Sequence, residues 1–497
     1  MEKKDIGITE EQQKWLDTLV EKMKITPEQL YSKYEIVFKD NEPKGRIFLN
    51  DVEVKEEETS AYKLLADPAS LYKIGQKLER NGYVGDLETK LAVYLAGTTK
   101  DYKRDDRISI ILKAQSGAGK STILNLVERY FEDVISYHRI TAHAPDYLGE
   151  EIGTLDGKIL IIKQMEGSAD SQYTVMIMVD PVSGGLKLLT VENQKTKTLE
   201  LKGIPVMFTT TVDIDLDPQT LRRFYTTYAD DSAEQTRKVM AHKAKMESDP
   251  SYRNMIKSTD EDLLQIPKLL KEKSAKFGVI IPFAEEIAKK FPKVLLARTD
   301  IGRFFAFIRA ITHLHCRQRF LFRDIEGEMN YIASPVDFHY AWEITKVSIP
   351  KRLGGITDER SYKIFTIVCK KCQLDDNVDI SDVMKIAYTE GMNYSQNTIW
   401  HTLNDLRDKG YIKSERNPTD KRRLLWSLTE KSYEPFGITF PDENIENIYL
   451  QEISDHCGPK IIRKSWDHLR RSLEAVDIRT GKKVDILSKS TKTLLKI

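Results

Sequence analysis

The sequence predicts an α/β fold with a doubly wound parallel sheet, followed by a mostly helical segment and by a small domain of three helices and two strands. Three short apolar strands, "RISIILKA", "GKILIIKQ" and "GIPVMFTTT", alternate with helical patterns over residues 66–250. A helical apolar period follows over 251–350, in "VIIPFAEEIAKKF" and "TDIGRFFAFIRAITHLHCRQRFLF". Alternation of strands and helices is typical of a parallel sheet that is covered on both faces.

The chain is long enough for several domains, because 497 residues correspond to about three domains of ordinary size. Five regions are expected: a largely helical 1–65, an α/β core at 66–250, an α-helical lid at 251–350, the small domain at 356–430 and an extension at 431–497. From Lys460 onward the extension holds eleven Lys and Arg against four Asp and Glu, a formal +7. Such an end either binds nucleic acid or a partner, or is a solvated run of charge.

Charge and composition exclude several classes of protein. The formal net charge is +1, so any affinity for nucleic acid must come from local patches. The N-terminus "MEKKDIGITEEQQKW" is too charged for a signal peptide and no stretch is long and apolar enough to span a bilayer, so we expect a cytoplasmic protein without a membrane partner. Cys369 and Cys372 would form a zinc site with His456 and Cys457, but ordinary thiols in a helical pattern explain them better.

The stretch "ILKAQSGAGKST", residues 111–122, has the pattern of a phosphate-binding loop. Ala114 is followed after four positions by Gly119, Lys120 and Ser121, between an apolar strand and a helical pattern. In such a loop Lys120 reaches the β- and γ-phosphates, Ser121 ligates Mg²⁺, and backbone N–H groups at the helix N-terminus surround the phosphates. The expected ligands are therefore ATP and Mg²⁺, and the expected contacts are Gln115, Ser116, Gly117, Ala118, Gly119, Lys120, Ser121 and Thr122.

Polar groups follow the later strands of the predicted sheet. Thr209, Thr210 and Thr211 end "GIPVMFTTT", and a hydroxyl such as that of Thr211 can sense a γ-phosphate through an oriented water. Arg222 and Arg223 follow in "LRRF". In a ring of subunits this pair would face the neighbouring ATP. The alternative is an ordinary solvated helix end.

The order of phosphate loop, strand without acids, Thr-rich strand, "LRRF" and "RTDIGRFFAFIRAI" resembles AAA+ helicases of the minichromosome maintenance group, and more closely the MCM-like replicative helicases of archaea and mobile elements. The resemblance covers about 66–345. It implies an AAA+ P-loop NTPase core with a helical lid, a homo-hexameric ring, and a primase or loader as a further partner. It also implies that Arg223 is the arginine finger and Arg303 the second sensor arginine, with Arg298 as the alternative.

The resemblance also implies acids that the chain lacks. After the strand Ile159 to Ile162 the family pattern has a position that supports Mg²⁺ and then a Glu that polarises the attacking water, but here these positions hold Lys163 and Gln164. Either the site is naturally degenerate and Glu166 has taken the role, or Gln164 is an engineered Glu-to-Gln change that traps the ATP-bound state. We favour the second explanation, because Glu to Gln removes the charge of the base and nothing else.

A hairpin is expected in "SGGLKLLTVENQKTKTLELKG", where two extended stretches flank the polar "NQKTK". In the helicases that the chain resembles, a hairpin at this place contacts DNA in the central channel. Lys195 and Lys197 would then bind DNA phosphates as point charges, without reading bases. The alternative is a surface hairpin whose lysines keep the protein soluble.

The region 356–430 predicts a winged helix, with three helices and then two strands around the turn "NPTDK". Its third helix, "SQNTIWHTLNDLRDKGYI", offers Gln396, Asn397, Thr398 and His401 to a DNA groove. The wing carries the basic run Lys421, Arg422 and Arg423. A basic wing favours DNA as the partner, although a winged helix also serves as a protein-docking module.

The sequence therefore predicts an ATP-dependent, ring-forming DNA helicase or translocase that acts in DNA replication, in a mobile element or an archaeal replicon. The alternatives are an AAA+ replication initiator or an ATP-dependent transcription regulator, which would remodel DNA locally without processive strand separation. A small-molecule kinase would share the phosphate loop but would leave the arginine pair and the winged helix unexplained.

Overall fold

The computed structural model describes residues 9–495, except 24–25, 28–29, 31–33, 38–45, 50–58, 114–116, 118, 141–147, 149–150, 166–168, 193–194, 212–217, 292–295, 324–327, 350–358, 376, 390–391, 419, 421, 430–439 and 465. The fold has a central parallel sheet with its helices, a second sheet built from distant parts of the chain, and a small unit of helices and strands. The two sheets contribute to one large hydrophobic core, the main core, and the small unit has a core of its own.

The central sheet is parallel throughout and confirms the predicted α/β fold. Its strands in chain order are β3 (Ile110–Lys113), β4 (Val134–Tyr137), β5 (Ile159–Ile162), β8 (Val206–Thr211) and β9 (Tyr225–Tyr228). In space they lie in the order β4-β5-β8-β3-β9, so the chain leaves β3 for the far edge and returns to its other side. All four residues of β3 and of β5 are buried, as continuous apolar runs in a covered parallel sheet should be.

Both faces of this sheet are packed against helices. Ile110 and Leu112 of β3 face the apolar side of α5 (Lys120–Tyr130), whereas Ile111 faces the opposite side, where Val175 and Met178 of α6 (Ala169–Met178) lie. The alternation follows from the two-residue period of a strand. The phosphate loop therefore leads from the middle of the sheet into a helix whose position is fixed by packing.

The second sheet was not predicted. It joins β1 (Tyr34–Val37) and β2 (Arg46–Leu49) to β11 (Leu321–Arg323), β12 (Met329–Ile332) and β10 (Phe277–Ile280), in the order β1-β2-β11-β12-β10. Residues 1–65 thus contribute two strands beside their helices, and 251–350 contributes three strands beside its helices. The two regions form one sheet, because β2 pairs antiparallel with β11.

Helices cover most of the remaining chain outside the small unit. They are α1 (Glu10–Met23), α2 (Ser60–Leu65), α3 (Ser70–Arg80), α4 (Leu87–Thr98), α7 (Pro218–Arg223), α8 (Ala233–Ser248), α9 (Pro250–Lys257), α10 (Glu261–Lys276), α11 (Ala284–Lys290), α12 (Ala297–Leu314) and α13 (Pro335–Thr345). Across the described residues, no helix combines the length and the apolar character that crossing a membrane would require.

A fully buried ion pair joins α12, α13 and the C-terminal region. Arg319 donates from Nε and Nη2 to the two carboxylate oxygens of Asp337, at 2.7 and 2.6 Å. Asp337 also accepts from the Ser334 backbone N–H at 2.9 Å, within the capping box of α13, and from Thr312 Oγ1 at 3.0 Å. His315 stacks on Tyr340 beside it. This network is a structural centre with no exposed group.

The C-terminal region is part of the main core and not a free basic end. It contains α17 (Glu443–Lys464), α18 (Trp466–Ser472), β16 (Ala475–Val476), β17 (Lys483–Val484) and α19 (Lys489–Leu495). Tyr449 is fully buried and donates to Ser472 Oγ at 2.9 Å, and Glu446 accepts from the Ser488 backbone N–H and Oγ. The described part of the expected extension therefore cannot be removed without opening this core.

The small unit has three helices and a three-stranded sheet around a separate core. Its elements are α14 (Glu359–Asp375), β13 (Val378–Asp379), α15 (Ile380–Thr389), α16 (Gln396–Asp408), β14 (Ile412–Arg416) and β15 (Leu424–Leu428). Ser395 caps α16 by accepting from the Thr398 backbone N–H, and Ile399, Leu403 and Leu406 are fully buried. Trp426 on β15 closes the core, which joins all three helices to the sheet.

Candidate functional site

The phosphate loop has the backbone that its glycines predict. Gly117 and Gly119 have φ angles of +87° and +83°, in the left-handed region that other residues rarely adopt. Lys120 is the first residue of α5 and is half-buried, and the next two hydroxyl residues, Ser121 and Thr122, are exposed. Burial lowers the pKa of Lys120. The remaining predicted contacts Gln115, Ser116 and Ala118 lie outside the described residues.

The strand β5 continues past Ile162 as two backbone positions at the carboxyl edge of the sheet. The backbone N–H of Lys163 donates to the Tyr137 carbonyl at 2.8 Å, and that of Gln164 donates to the His138 carbonyl at 3.0 Å. On the other side, Met165 donates its backbone N–H to the Thr210 carbonyl at 2.9 Å. Gln164 is therefore held between the ends of β4 and β8 with its side chain exposed.

Lys163 turns toward α5 and forms an ion pair there. Its Nζ lies 3.0 Å from Glu128 Oε1, and Glu128 also accepts from Ser136 Oγ at 2.6 Å. Burial alone would raise the pKa of Glu128, but the hydrogen bonds from Ser136 and Lys163 bring it below its ordinary value. A lysine thus stands where the resemblance implies an acid, and its charge is balanced by Glu128. The alternative base Glu166 lies outside the described residues.

The three threonines of β8 have different surroundings. Thr210 Oγ1 donates to the Lys163 carbonyl at 2.6 Å, so this hydroxyl fastens β8 to the end of β5. Thr209 is fully buried between β5 and β3. Thr211 is the last residue of the strand and lies beside Lys113, the residue that enters the phosphate loop. Thr211 is therefore the threonine nearest to the loop along this edge.

The arginine pair lies on α7 and both residues have specific contacts. Arg223 Nη2 lies 2.6 Å from Asp180 Oδ2, in the loop after α6. The side chain of Arg222 is exposed, while its carbonyl accepts from Arg303 Nη2. Arg303 also pairs with Asp300 at 2.6 Å, whereas the alternative Arg298 is exposed. Arg223, the predicted arginine finger, is thus paired with an acid of its own chain.

The predicted hairpin is present, and its second strand begins within the polar stretch that the sequence suggested between the two strands. Its strands are β6 (Gly185–Glu192) and β7 (Lys195–Lys202), which form their own two-stranded sheet. Lys195 pairs with Glu192 and Lys197 with Thr190, so both predicted phosphate contacts are residues of β7 and not of the turn. The side chain of Lys195 lies outside the description, and Lys197 is half-buried. The start of β6 and the end of β7 are packed into the protein, since Leu186, Leu199 and Leu201 are buried.

On the small unit, the predicted contacts of the third helix lie at its start. Gln396, Asn397 and His401 are exposed and Thr398 is half-buried. Sequence reasoning missed Trp400 of the same helix, whose side chain is 46% exposed although large apolar side chains are usually buried.

The basic wing is described in part. The side chain of Arg422 is 94% exposed, and that of Arg423 lies 3.4 Å from Asp379. Lys421 lies outside the described residues. A neutral polar helix face and a basic strand turn are thus present on the same unit.

The cysteines do not form a metal site in the described structure. Cys372 is buried and donates from Sγ to the Trp426 carbonyl at 3.7 Å. Burial raises the pKa of Cys369 to about 12. The side chains of His456 and Cys457 lie outside the description, and the residues that are described contain no group of three or more His, Cys, Asp or Glu placed to hold a metal ion. Cys369 and Cys372 are core thiols of α14.

A cavity of about 400 Å³ lies at the start of α4, and Asp86, Glu88 and Lys90 are among its lining residues. Burial raises the pKa of Asp86 to about 6. Thr89 Oγ1 donates to the Tyr228 carbonyl at 3.0 Å, which places this helix start at the carboxyl end of β9. Because β9 is parallel to β3, the cavity opens at the same edge as the phosphate loop. Its volume lies in the range of small-molecule pockets.

Comparison with known proteins identifies the family. The model of the MTBMA_p00010 P-loop domain matches residues 22–270, which is half of the chain. No curated protein matches the chain. The match spans the phosphate loop, the whole central sheet and the hairpin, and a P-loop domain binds a nucleotide, typically with Mg²⁺. The chain is therefore a nucleotide-binding P-loop protein and belongs to the MTBMA_p00010 P-loop domain family.

Proposed function

We propose that the protein is an ATP-dependent DNA helicase or translocase of the AAA+ class that works as a homo-hexameric ring in DNA replication. The observation that carries this proposal is the hairpin of β6 and β7. It is inserted in the sequence between β5 and β8, and it forms a two-stranded sheet of its own. A small-molecule kinase has no use for such an element. The carboxyl ends of β5 and β8 form the edge of the central sheet at which we expect hydrolysis, here called the reaction edge.

The nucleotide is bound by the loop and the start of α5. Gly117 and Gly119 adopt the backbone that turns N–H groups toward phosphate oxygens, and Lys120 adds a positive charge at the helix N-terminus. The exposed hydroxyl of Ser121 fits Mg²⁺, which favours hard oxygen ligands and keeps several waters. When bound, Mg²⁺ neutralises charge on the β- and γ-phosphates.

The attacking water is expected at Gln164. Its side chain is exposed at the sheet edge, and its amide oxygen can accept a hydrogen bond from water but cannot take a proton at neutral pH. Lys163 is neutralised by Glu128 and supplies no base. We therefore expect ATP to bind and to turn over slowly in the chain as it stands.

Arg223 is proposed to act on the ATP of the neighbouring subunit. It lies on α7 between the sensor strand β8 and the edge strand β9, and Asp180 engages one of its nitrogens. A guanidinium has five N–H donors, so the same side chain has further donors for a phosphate. Arg303 links its lid helix to the carbonyl of Arg222 and holds α7 in place.

DNA contacts are proposed for the hairpin and for the small unit, which we interpret as a winged helix. Lys195 and Lys197 lie along one edge of the hairpin, and Arg422 extends from the wing. Gln396 and Asn397 have the amide groups that bind adenine edges. An initiator or transcription regulator would use the same parts, and the two possibilities differ in processive unwinding of a forked duplex.

Subunit mixing tests the ring. Lys120→Ala and Arg223→Ala are each expected to abolish ATP hydrolysis, but for different reasons. In a ring, an intact phosphate loop of the second variant can face an intact arginine of the first. Random mixing in equal amounts creates about a quarter of such interfaces, so activity should return toward that fraction.

The neighbouring Arg222→Ala is the matched control, because Arg222 is exposed and adjacent. If mixing restores activity with Arg222→Ala as the inactive partner and never with Arg223→Ala, the finger is Arg222. If neither mixture regains hydrolysis although size measurements show intact assemblies, the proposal of a site shared between subunits is wrong.

A further inference from the structure

The contact of Arg223 with Asp180 links two elements that are distant in the sequence. The Arg223 Nη2 atom lies 2.6 Å from Asp180 Oδ2, and the two side chains are 35% and 18% exposed. Arg223 ends α7, whereas Asp180 lies between α6 and β6, five residues before the hairpin begins at Gly185. A partly buried ion pair with this geometry is stronger than a typical surface pair.

Asp180 also organises the turn from which the hairpin starts. Its Oδ1 accepts from the Val182 backbone N–H at 3.1 Å, and its carbonyl accepts from the Ser183 backbone N–H and Oγ at 3.1 and 2.8 Å. Ser183 Oγ in turn accepts from the Gly185 backbone N–H at 3.4 Å. One carboxylate thus uses one oxygen for the turn and the other for Arg223.

The turn is connected to both strands of the hairpin. The carbonyl of Gly184 accepts from the Gly203 backbone N–H at 3.0 Å, directly after β7 ends. Gly185 has a φ of +138°, and a Cβ on it would lie 2.2 Å from the Leu201 carbonyl oxygen. The base of the hairpin is therefore closely packed, and a shift of the turn must move both strands.

From these contacts we infer that Asp180 is a positioning residue that couples Arg223 to the hairpin. The inference rests on the proposed function, in which Arg223 contacts the neighbour's nucleotide and the hairpin contacts DNA. When other N–H groups of the guanidinium bind a γ-phosphate of the neighbour, the contact with Asp180 weakens, and so does the support of the turn. Nucleotide state on one subunit then alters DNA binding by the next, and DNA alters the response to nucleotide by the same factor.

The substitution Asp180→Asn separates the two jobs of the carboxylate. Asparagine retains an oxygen that can accept from the Val182 N–H, because Asn forms the same side-chain-to-backbone turn as Asp, but it has no charge to pair with Arg223. Glu247→Gln is the control, since it removes the carboxylate of another ion pair, between α8 and α9, where Arg253 Nη2 lies 3.2 Å from Glu247 Oε2.

The first measurement is hydrogen exchange of the full chain without DNA. In Asp180→Asn, the amides of Gly185 and Gly203 should exchange faster than in the wild type, and the control should show no change. Unchanged exchange at both amides would overturn the inference, whatever the protein does with DNA.

The second measurement is the Kd for a fluorescent single-stranded oligonucleotide, taken with ADP and with a slowly hydrolysed ATP analogue. We expect the wild type and the control to show a ratio of about 5-fold or more, the lower end of ordinary coupling between sites, and Asp180→Asn to show a ratio near unity. A variant that retains the wild-type ratio would remove Asp180 from the coupling. If the wild type binds no oligonucleotide, the proposed function is refuted. The exchange measurement is independent of that outcome, because it is made without DNA.

Discussion

Introducing a carboxylate at position 164 is the most direct chemical test of the reaction edge. Gln164 lies between the ends of β4 and β8, its backbone fixed by the His138 carbonyl and its side chain exposed. Gln164→Glu therefore changes a charge without changing the shape of the side chain or the backbone. We expect this variant to hydrolyse ATP faster than the parent chain.

The size of the increase follows from the surroundings. A general base contributes about 10²- to 10⁴-fold, or about 2.7–5.4 kcal/mol of barrier. An exposed carboxylate titrates near pH 4, so it is deprotonated at pH 7 but is a weak base. Lys163, the adjacent cation, is already neutralised by Glu128 and will not hold the new carboxylate in an ion pair. We therefore expect the lower end of the range, about 10²-fold.

The assay is steady-state ATPase activity with and without DNA, with Gln164→Ala as the control for loss of the side chain. Glu166→Gln is measured beside it, because Glu166 is the alternative base. If Gln164→Glu brings no increase and Glu166→Gln abolishes the residual activity, the role belongs to Glu166 and the interpretation of position 164 is refuted.

Two further predictions concern stability and DNA binding. Arg319→Met should destabilise the protein by about 3–5 kcal/mol at pH 7, measured by urea unfolding, because Asp337 keeps a buried charge without its partner. Burial raises the pKa of Asp337, but Arg319 and the hydrogen bonds lower it by more, so the net pKa is below its ordinary value. The ion pair therefore stabilises the wild type fully above the unfolded pKa of about 3.9, and this stabilisation decreases as pH falls below that value. In Arg319→Met the buried carboxyl has a raised pKa, so the difference in the free energy of unfolding between wild type and variant should decrease as pH falls from 7 to 5. An increase in this difference would contradict the explanation by an unpaired buried charge. Arg422→Ala should weaken DNA binding and reduce the slope of log K against log salt by about one, because a phosphate contact is lost. Arg407→Ala, at the end of α16 on the same unit, is the control for loss of a surface arginine, and an unchanged slope in Arg422→Ala would favour protein docking by the wing.

The parts of the fold that sequence reasoning predicted are those with local signals. The strands β3, β5 and β8 are continuous apolar runs bounded by Gly and polar residues. Gly117 and Gly119 have the positive φ angles that only glycine adopts without strain. The helices α14, α15 and α16 have clear apolar periods and, for α16, a serine cap. Each of these features is determined within about twenty residues.

The second sheet depends on contacts that no local pattern contains. Phe48 of β2 pairs with Phe322 of β11, more than 270 residues further along the chain. The same holds for the C-terminal region, whose charge suggested a solvated end, although Ile478 and Leu487 are buried in the main core. A count of charged residues describes the exposed side of such elements. It does not reveal the few apolar residues that decide how the elements pack.

The reaction edge shows a related limit of sequence reasoning. Lys163 occupies a position where the resemblance implies an acid, and the sequence does not show which group balances its charge. In the structure Glu128, eight residues after Lys120 on α5, lies 3.0 Å from the ammonium group, and Ser136 donates to the same carboxylate. The positive charge of Lys163 and the negative charge of Glu128 therefore cancel. A substitution at position 163 that removes the cation would leave Glu128 unpaired beside the phosphate-binding helix, so Lys163 and Glu128 have to be interpreted together.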